Sequence, residues 1–446
     1  MTKQNKSRIA ATALALAIFA TATALGQDTG KPIPQPVVEG LKVAPDSARL
    51  DLTLPKFSNP TSITNPLFPV SKQESVLLAG KVEGKAFRTE VTLLPYTRII
   101  KWDGVEIEAA VSQYVAFLDG RITEVAIDLY AQADDGSVWY LGEDVSDFKD
   151  GVIHTKEGTW IAGIDGPPAM IMPGAPKPGD VYRTENMPGI AFEEVTVKAV
   201  DQTLDGPFGK LSGGMIGREY HMDGNPEEKQ FAPAYGEFYT AESGGDVEAL
   251  ALAVPTDRAP GPVPMDLALV TDGALKIFDS AGSKEWKTAA ATVKEMADAW
   301  SRFPAGEVPK LVQPKVKGAL EALEKAVAQR NAAKTRQAAI ETARWSLDVQ
   351  LRYRPAAEID LARLGLWAAQ ILVDAAAGDE GAVKGDTFTM VYTRDRVIRS
   401  LEPGAAQRIN VLFGKLQPAA SEEELAEAAK IAGDFREVLT GLGPKN

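Results

Sequence analysis

Between Asn59 and about Glu242, apolar and polar positions alternate in short runs bounded by glycine-containing turns. VLLAGKVEG, KAFRTEVTLLPYTRII, WDGVEIEAAVSQYVAFLDG, RITEVAIDLYAQADDG, SVWYLGED and GVIHTKEGTWIAG are rich in Val, Ile, Thr and Tyr, and each has the period of two that a half-buried strand requires. The dipeptides Asp103-Gly104, Asp119-Gly120, Asp135-Gly136 and Asp150-Gly151 supply the positive φ that tight hairpin turns demand. Repeated hairpins predict an antiparallel meander. In VEIEAAV and ITEVAIDLY one face is apolar, so a second layer must cover that face or the sheet must curl around it. The proline-rich run DGPPAMIMPGAPKPGD at 165–180 predicts a long ordered loop, and YRTENMPGIAFEEVTVKAVDQTLDGPFG returns to strand patterning. Residues 244–283, with APGPVP at 259–264, read as a boundary.

From Ser283 the period changes to 3.6 and alanine becomes frequent. Helices are predicted at 284–302, 312–332, 333–353, 356–377, 383–400, 404–416 and 420–442, with stops at Pro304, Gly378, Pro403 and Gly441. In 356–377 the apolar positions Ile359, Leu361, Leu364, Leu366, Trp367, Ile371, Leu372 and Val373 nearly encircle the axis, as in a central bundle helix. The predicted class is therefore α+β multidomain. An antiparallel β domain at 57–280, a curled sheet or half-barrel, precedes an all-α up-and-down helical bundle at 281–446.

The N-terminal segment bears on compartment. Lys3, Lys6 and Arg8 precede an apolar run from Ile9 to Leu25 that ends in Ala24-Leu25-Gly26, the pattern of a signal peptide over 1–26 cleaved near Gly26. No later segment approaches the roughly 18 apolar residues of a membrane span. Residues 27–56, with three prolines in KPIPQPVVEG, predict a disordered linker. A periplasmic or secreted protein without a transmembrane anchor is expected. The chain has no cysteine, which excludes disulfides, thiolate metal sites and cysteine nucleophiles.

Charge is uneven. Residues 27–280 carry 21 Lys and Arg against 39 Asp and Glu, whereas 281–446 carry 24 against 22. Such acidity makes nucleic acid a poor partner for the first half and favours cationic ligands or basic surfaces. Solubility alone also accounts for an acidic exported surface.

The side chains that usually carry catalysis are sparse. His154 and His221 lie far apart and outside any H-x-x-H or H-E-x-x-H spacing, so both read as ordinary strand or loop residues. The glycine-flanked serines at 212 and 243 read as loop turns, not nucleophile elbows, and no phosphate-binding glycine motif is present. Carboxylates remain. Asp134, Asp135, Glu143 and Asp144, with Asp147 and Asp150 nearby, crowd a short window where a hard cation such as Ca²⁺ could bind, although the spacing is not an EF-hand ladder. Solvated turn acids are the simpler reading, and no cofactor is required. Tyr130, Trp139 and Trp160, with Trp102, could line an aromatic cleft or belong to the core. Arg344 and Arg352, among Arg354 and Arg363, could hold an anion, while helical pairs such as Arg344 with Asp348 account for them more simply.

Asn65-Pro66-Leu67-Phe68-Pro69 followed by VLLAG, then YAQADDGSVWYLGED, GTWIAGIDGPPAMIMPGAPKPGDVYR and YGEFYTAE, resembles a group of uncharacterised bacterial secreted proteins over about residues 59–243. Ser75-Val76-Leu77 stands where that group often has an aromatic residue. The resemblance implies a domain of that group and no catalytic residue. Non-catalytic binding of a small apolar or cationic ligand, or of an envelope protein, is the leading expectation. A carboxylate-based hydrolase acting on glycans and a structural or assembly role in the cell envelope are the alternatives.

Overall fold

In the computed structural model, residues 30–36, 43–242 and 244–442 are described. The expected signal peptide lies outside them. The chain divides into two compact units: residues up to 149 with 153–205 and 210–250, and residues 150–152, 206–209 and 251 onward.

The first unit is built on one large sheet. Its first meander comprises β3 (Ser75–Val82), β4 (Lys85–Trp102), β5 (Val105–Leu118), β6 (Arg121–Gln132) and β7 (Val138–Lys149). The short strands β8 (Val152–Thr155), β9 (Trp160–Ile161) and β10 (Ala169–Met172) all pair with β7. The second meander comprises β11 (Val181–Met187), β12 (Ala191–Asp205), β13 (Lys210–His221), β14 (Pro226–Ala232), β15 (Gly236–Glu242) and β16 (Val247–Val254). β3 lies beside β16, so the two meanders form a single sheet running from β10 to β11 without closing. A small ribbon of β1 (Lys31–Pro32) and β2 (Thr53–Leu54) accompanies it.

Turn chemistry explains the hairpins. Glu83-Gly84, Asp103-Gly104, Asp119-Gly120 and Asp150-Gly151 each have positive φ at both residues, the geometry whose twist matches that of the flanking strands. At 135–136 only Gly136 has it, and Asp135 instead folds the turn with its side chain, accepting hydrogen bonds from the Ser137 N–H at 2.9 Å and hydroxyl at 2.6 Å. Gly80 is required where the meanders meet, since a Cβ there would lie 1.7 Å from the Val247 carbonyl oxygen.

The sheet curls around a shared core. Leu129, Trp139, Leu141 and Trp160 from the first meander and Tyr182, Val195, Met215 and Phe231 from the second belong to one buried cluster. Ile33, Leu54, Phe57 and Ile63 join that cluster, so the described parts of the expected linker are packed against the sheet. Their apolar side chains outweigh the local proline content. Residues 169–172 are also a strand, within the segment expected to be all loop, because AMIM between Pro167-Pro168 and Pro173 can complete the edge beside β7.

The second unit is all-helical, with eight α-helices among the described residues: α1 (Met265–Gly282), α2 (Trp286–Arg302), α3 (Gln313–Ala328), α4 (Ala332–Gln350), α5 (Ala356–Ala377), α6 (Glu380–Val397), α7 (Pro403–Ser421) and α8 (Leu425–Thr440). The helix α1 replaces the expected boundary, and the transition falls near residue 250 rather than 280. APGPVP ends only at Pro264, which directly precedes α1, and Gly273 is there to let Met296 approach: a Cβ would meet its side chain at 2.5 Å. As the pattern predicts, α5 buries most of its circumference, and it ends at Gly378 in the left-handed conformation.

Candidate ligand-binding cavity

Within the curled sheet is a cavity of about 180 Å³. Strand alternation supplies most of its first wall: Val76 and Leu78 on β3, Val91 and Leu93 on β4, Ser112 and Tyr114 on β5, and Ala126, Asp128 and Tyr130 on β6 all line it. On β7 the alternation is broken. Tyr140 is opposite Tyr130 and Glu143 is opposite Asp128, so three steps on β7 match two on β6. This bulge is centred on Gly142, whose φ is +139° and whose missing side chain leaves room for the Trp160 carbonyl. Its consequence is functional geometry: Tyr140 and Glu143, an odd number of residues apart, both face the cavity.

The Tyr140 hydroxyl lies 2.7 Å from Asp128 Oδ1 and 2.9 Å from Glu143 Oε2. A single hydroxyl hydrogen can be donated to only one of them, so the second contact needs a proton on the carboxyl. Tyr130 stacks on Tyr140 with centroids 4.8 Å apart, and Phe68 meets Tyr130 edge-on at 5.1 Å. Trp160 closes the group from the core side, donating its indole N–H to Glu185 Oε1 at 3.2 Å.

The second meander supplies the other wall. Glu185 on β11 is opposite Glu193 on β12, again across a register shift, and Glu193 is opposite His221 on β13. Glu219 on β13 is opposite Glu227 on β14. Two cations lie among them. His221 Nδ1 lies 3.1 Å from Glu193 Oε1, and its Nε2 lies 3.4 Å from Glu227 Oε2. Lys229 Nζ is 2.6 Å from Glu219 Oε2, an ion pair outside hydrogen-bonding geometry, while Thr184 donates to Glu219 Oε1 at 2.9 Å. Among the described residues, Glu193, Glu219 and His221 form the group whose donor atoms are close enough to hold a metal ion.

The two walls differ in electrostatics. On the second, burial disfavours the imidazolium, yet the charge of Glu193, the hydrogen bond that Glu193 accepts and the nearby Glu227 carboxylate overcome it and push His221 up to about 12. Burial is likewise overcome at Glu193, which the His221 charge draws down to about 2. Burial would lower Lys229, and the Glu219 charge more than reverses it. Burial and the neighbouring Glu193 push Glu219 up to about 7 against the opposing Lys229 and His221 charges.

At the remaining cavity carboxyls, on β6, β7, β11 and β16, burial prevails. It pushes Asp128 up to about 7 despite the Tyr140 hydrogen bond. Glu143 is raised by burial and by the charge of Glu185, and Glu185 is pushed up to about 7 by burial and Glu193. Glu143 Oε2 is hydrogen-bonded to Tyr140, while its buried Oε1 has no hydrogen-bond partner. Glu248 on β16 is raised by burial first and by the Glu237 charge next. It is 5% exposed, it lines the cavity, and its Oε1 has no hydrogen-bond partner.

The residues singled out from the sequence are dispersed. Tyr130 and Glu143 line the cavity, whereas Trp139 and Trp160 are core side chains, with the Trp139 indole donating to the Ser137 hydroxyl at 2.8 Å. Asp134 caps Ser58 from the hairpin, accepting at 2.7 Å from its N–H and its hydroxyl, which lowers the Asp134 carboxyl. Asp135 holds its own turn, and Asp144, next to Glu143 on the strand, is 3.9 Å from Lys156. Thus Asp134, Asp135, Glu143 and Asp144 do not converge on one point. In the helical unit Arg344 lies over the Trp367 ring and pairs with Glu341. Arg352 donates to Glu307 Oε2 at 2.7 Å and to the Asp257 carbonyl at 3.0 Å, and Asp348 accepts from Arg363 at 2.8 Å.

Sequence reasoning missed His221 and its partners. The signal was present as period two: Glu219 and His221 in REYH, and Glu227 and Lys229 in EEKQ, place four charged side chains on one face of two adjacent strands. His154, by contrast, is exposed on β8. No protein-family model matches the chain, and no curated protein matches it.

Proposed function

We propose that this protein binds a small ligand without transforming it, inside the curled sheet of its first unit. The observation that carries this reading is the cavity itself: about 180 Å³, lined by seven carboxyl groups and four tyrosines but only two cationic side chains. A dry apolar cavity of about 150 Å³ accommodates benzene, so the ligand has roughly six to ten non-hydrogen atoms. Aliphatic side chains on β3 and β4 together with polar ones on the other strands suit a molecule with an apolar body and a polar head. The basic and apolar residues of 3–26 support export to the periplasm or beyond. The acidity of the first half argues against nucleic acid as a partner.

Native mass spectrometry of the purified full chain tests this reading. A small molecule retained by the wild type should be lost from Leu78→Trp, which fills the cavity. Equal retention by both would place the ligand elsewhere and refute the assignment. A carboxylate-based hydrolase acting on glycans is the second reading, favoured by the raised carboxyls of Glu143 and Glu185 beside Tyr140. Chromogenic glycosides separate the two: binding without catalysis predicts no turnover, whereas turnover that Glu185→Gln abolishes would establish the hydrolase.

A further inference from the structure

The geometry points to a more specific ligand: an amine, bound as its ammonium ion at Asp128 and Glu143 in the cavity that Glu248 also lines, with the Tyr130–Tyr140 ring pair beside it and its carbon skeleton against Val76, Leu78 and Val91. This rests on the binding reading above and adds the chemistry of the head group.

Three independent features support it. Asp128 and Glu143 are directly opposite each other on adjacent strands, an arrangement that like charges normally destabilise, and Tyr140 is the hydrogen-bonding side chain set between them. A cation there would let both ionise. The cavity's two cationic side chains are not free to do this, because His221 is held by Glu193 and Glu227, and Lys229 by Glu219. Glu248 supplies the second feature: it is buried to nineteen-twentieths, faces the cavity, and its Oε1 has no partner. An ammonium offers three donors and can serve several carboxylates at once. The third is aromatic. Tyr130 and Tyr140 stack at 4.8 Å and both line the cavity, with the Tyr140 hydroxyl on the opposed acids, and aromatic rings attract ammonium groups.

Other ligand classes fit less well. An anion would meet a predominantly acidic cavity. A neutral alcohol could hydrogen-bond with the acids but would leave them without countercharge. A bare divalent cation has its candidate donors at Glu193, Glu219 and His221, on the wall where Lys229 and His221 already supply positive charge, and it would make no use of the aliphatic side chains.

The test uses the full chain in calorimetric titrations with 2-phenylethylamine, n-butylamine, their alcohol counterparts 2-phenylethanol and n-butanol, and Mn²⁺ or Zn²⁺ alone. At least one amine should bind at least tenfold more tightly than its alcohol. Glu248→Gln and Asp128→Asn, both of which remove a desolvated acid and should fold at least as well as the wild type, should each weaken the amine at least tenfold and leave the alcohol little changed. Amine and alcohol binding equally, or unchanged amine binding in both variants, would overturn the amine assignment and leave the cavity reading standing. Metal binding that His221→Ala abolishes and Glu248→Gln does not, with no amine binding, would also overturn it. No binding of any probe, together with no retained molecule in the native mass spectrum, would remove the binding reading as well.

Discussion

Replacing Asp128 with Asn tests the electrostatics of the first wall without any knowledge of the ligand. In the unfolded chain this carboxyl ionises at its ordinary value of 3.8, and burial in the cavity wall pushes it up to about 7. The folded protein therefore holds a proton on Asp128 that the unfolded chain has released, and stability falls as pH rises from about 4 through about 7. Linkage gives the size. Between pH 5 and pH 8 the loss from this one group is about 2.5 kcal/mol, and it approaches about 4 kcal/mol over the whole window. Asn cannot ionise, and its amide oxygen can still accept the Tyr140 hydroxyl that now lies at 2.7 Å. The stability of Asp128→Asn relative to wild type should thus rise by about 2.5 kcal/mol from pH 5 to pH 8, whatever the constant offset from packing the amide. Urea unfolding followed by tryptophan fluorescence at several pH values measures this difference, with the same tryptophans reporting in both proteins. Parallel pH profiles for the two would refute the argument, because they would mean that Asp128 ionises in the fold as readily as in water.

The remaining expectations concern the other parts of the structure. Lys229→Met should cost about 3–5 kcal/mol at pH 8, where it strands the buried Glu219 carboxylate, and distinctly less at pH 5, where Glu219 (pushed up to about 7) is protonated. An equal cost at both pH values in urea melts would contradict that pairing. Gly142→Ala should cost about 1–3 kcal/mol in the same assay, since φ is +139° and a Cβ would lie 2.7 Å from the Trp160 carbonyl oxygen, and it should also weaken ligand binding by turning Glu143 out of the cavity. In the helical unit, Arg363→Leu leaves Asp348 and Asp360, both fully or almost fully buried, without its two 2.8 Å ion pairs. Loss of about 3–5 kcal/mol is expected, visible as a lowered midpoint in far-ultraviolet dichroism.

The fold was legible where local chemistry and pattern agree. Asp103-Gly104, Asp119-Gly120 and Asp150-Gly151 adopt the paired positive φ that hairpins need, and the all-round apolar pattern of 356–377 became a helix with little of its circumference exposed. It was illegible where a pattern was short or its punctuation misleading. Four residues of AMIM among five prolines make one edge strand, and APGPVP precedes a helix instead of ending a domain. Turn residues say that a segment ends; they do not say what begins after it.

The cavity was less legible than the fold, for two different physical reasons. On the second wall the information was in the sequence, since Glu219, His221, Glu227 and Lys229 keep strict alternation, but their pairing depends on the register of β12, β13 and β14, which no single strand encodes. On the first wall alternation itself misleads, because the bulge at Gly142 moves Glu143 onto the face of Tyr140. The outcome is a cavity with a division of labour. On its second wall His221 and Lys229 are each committed to carboxylates, which fixes those side chains in place. Around Asp128 and Glu143 the first wall is left short of positive charge, so burying these two acids costs stability that a bound cation would relieve. Desolvated acids held together by a rigid bulge and ring stack are destabilising in a protein that binds nothing, and that cost is the strongest physical reason to look for a cation there.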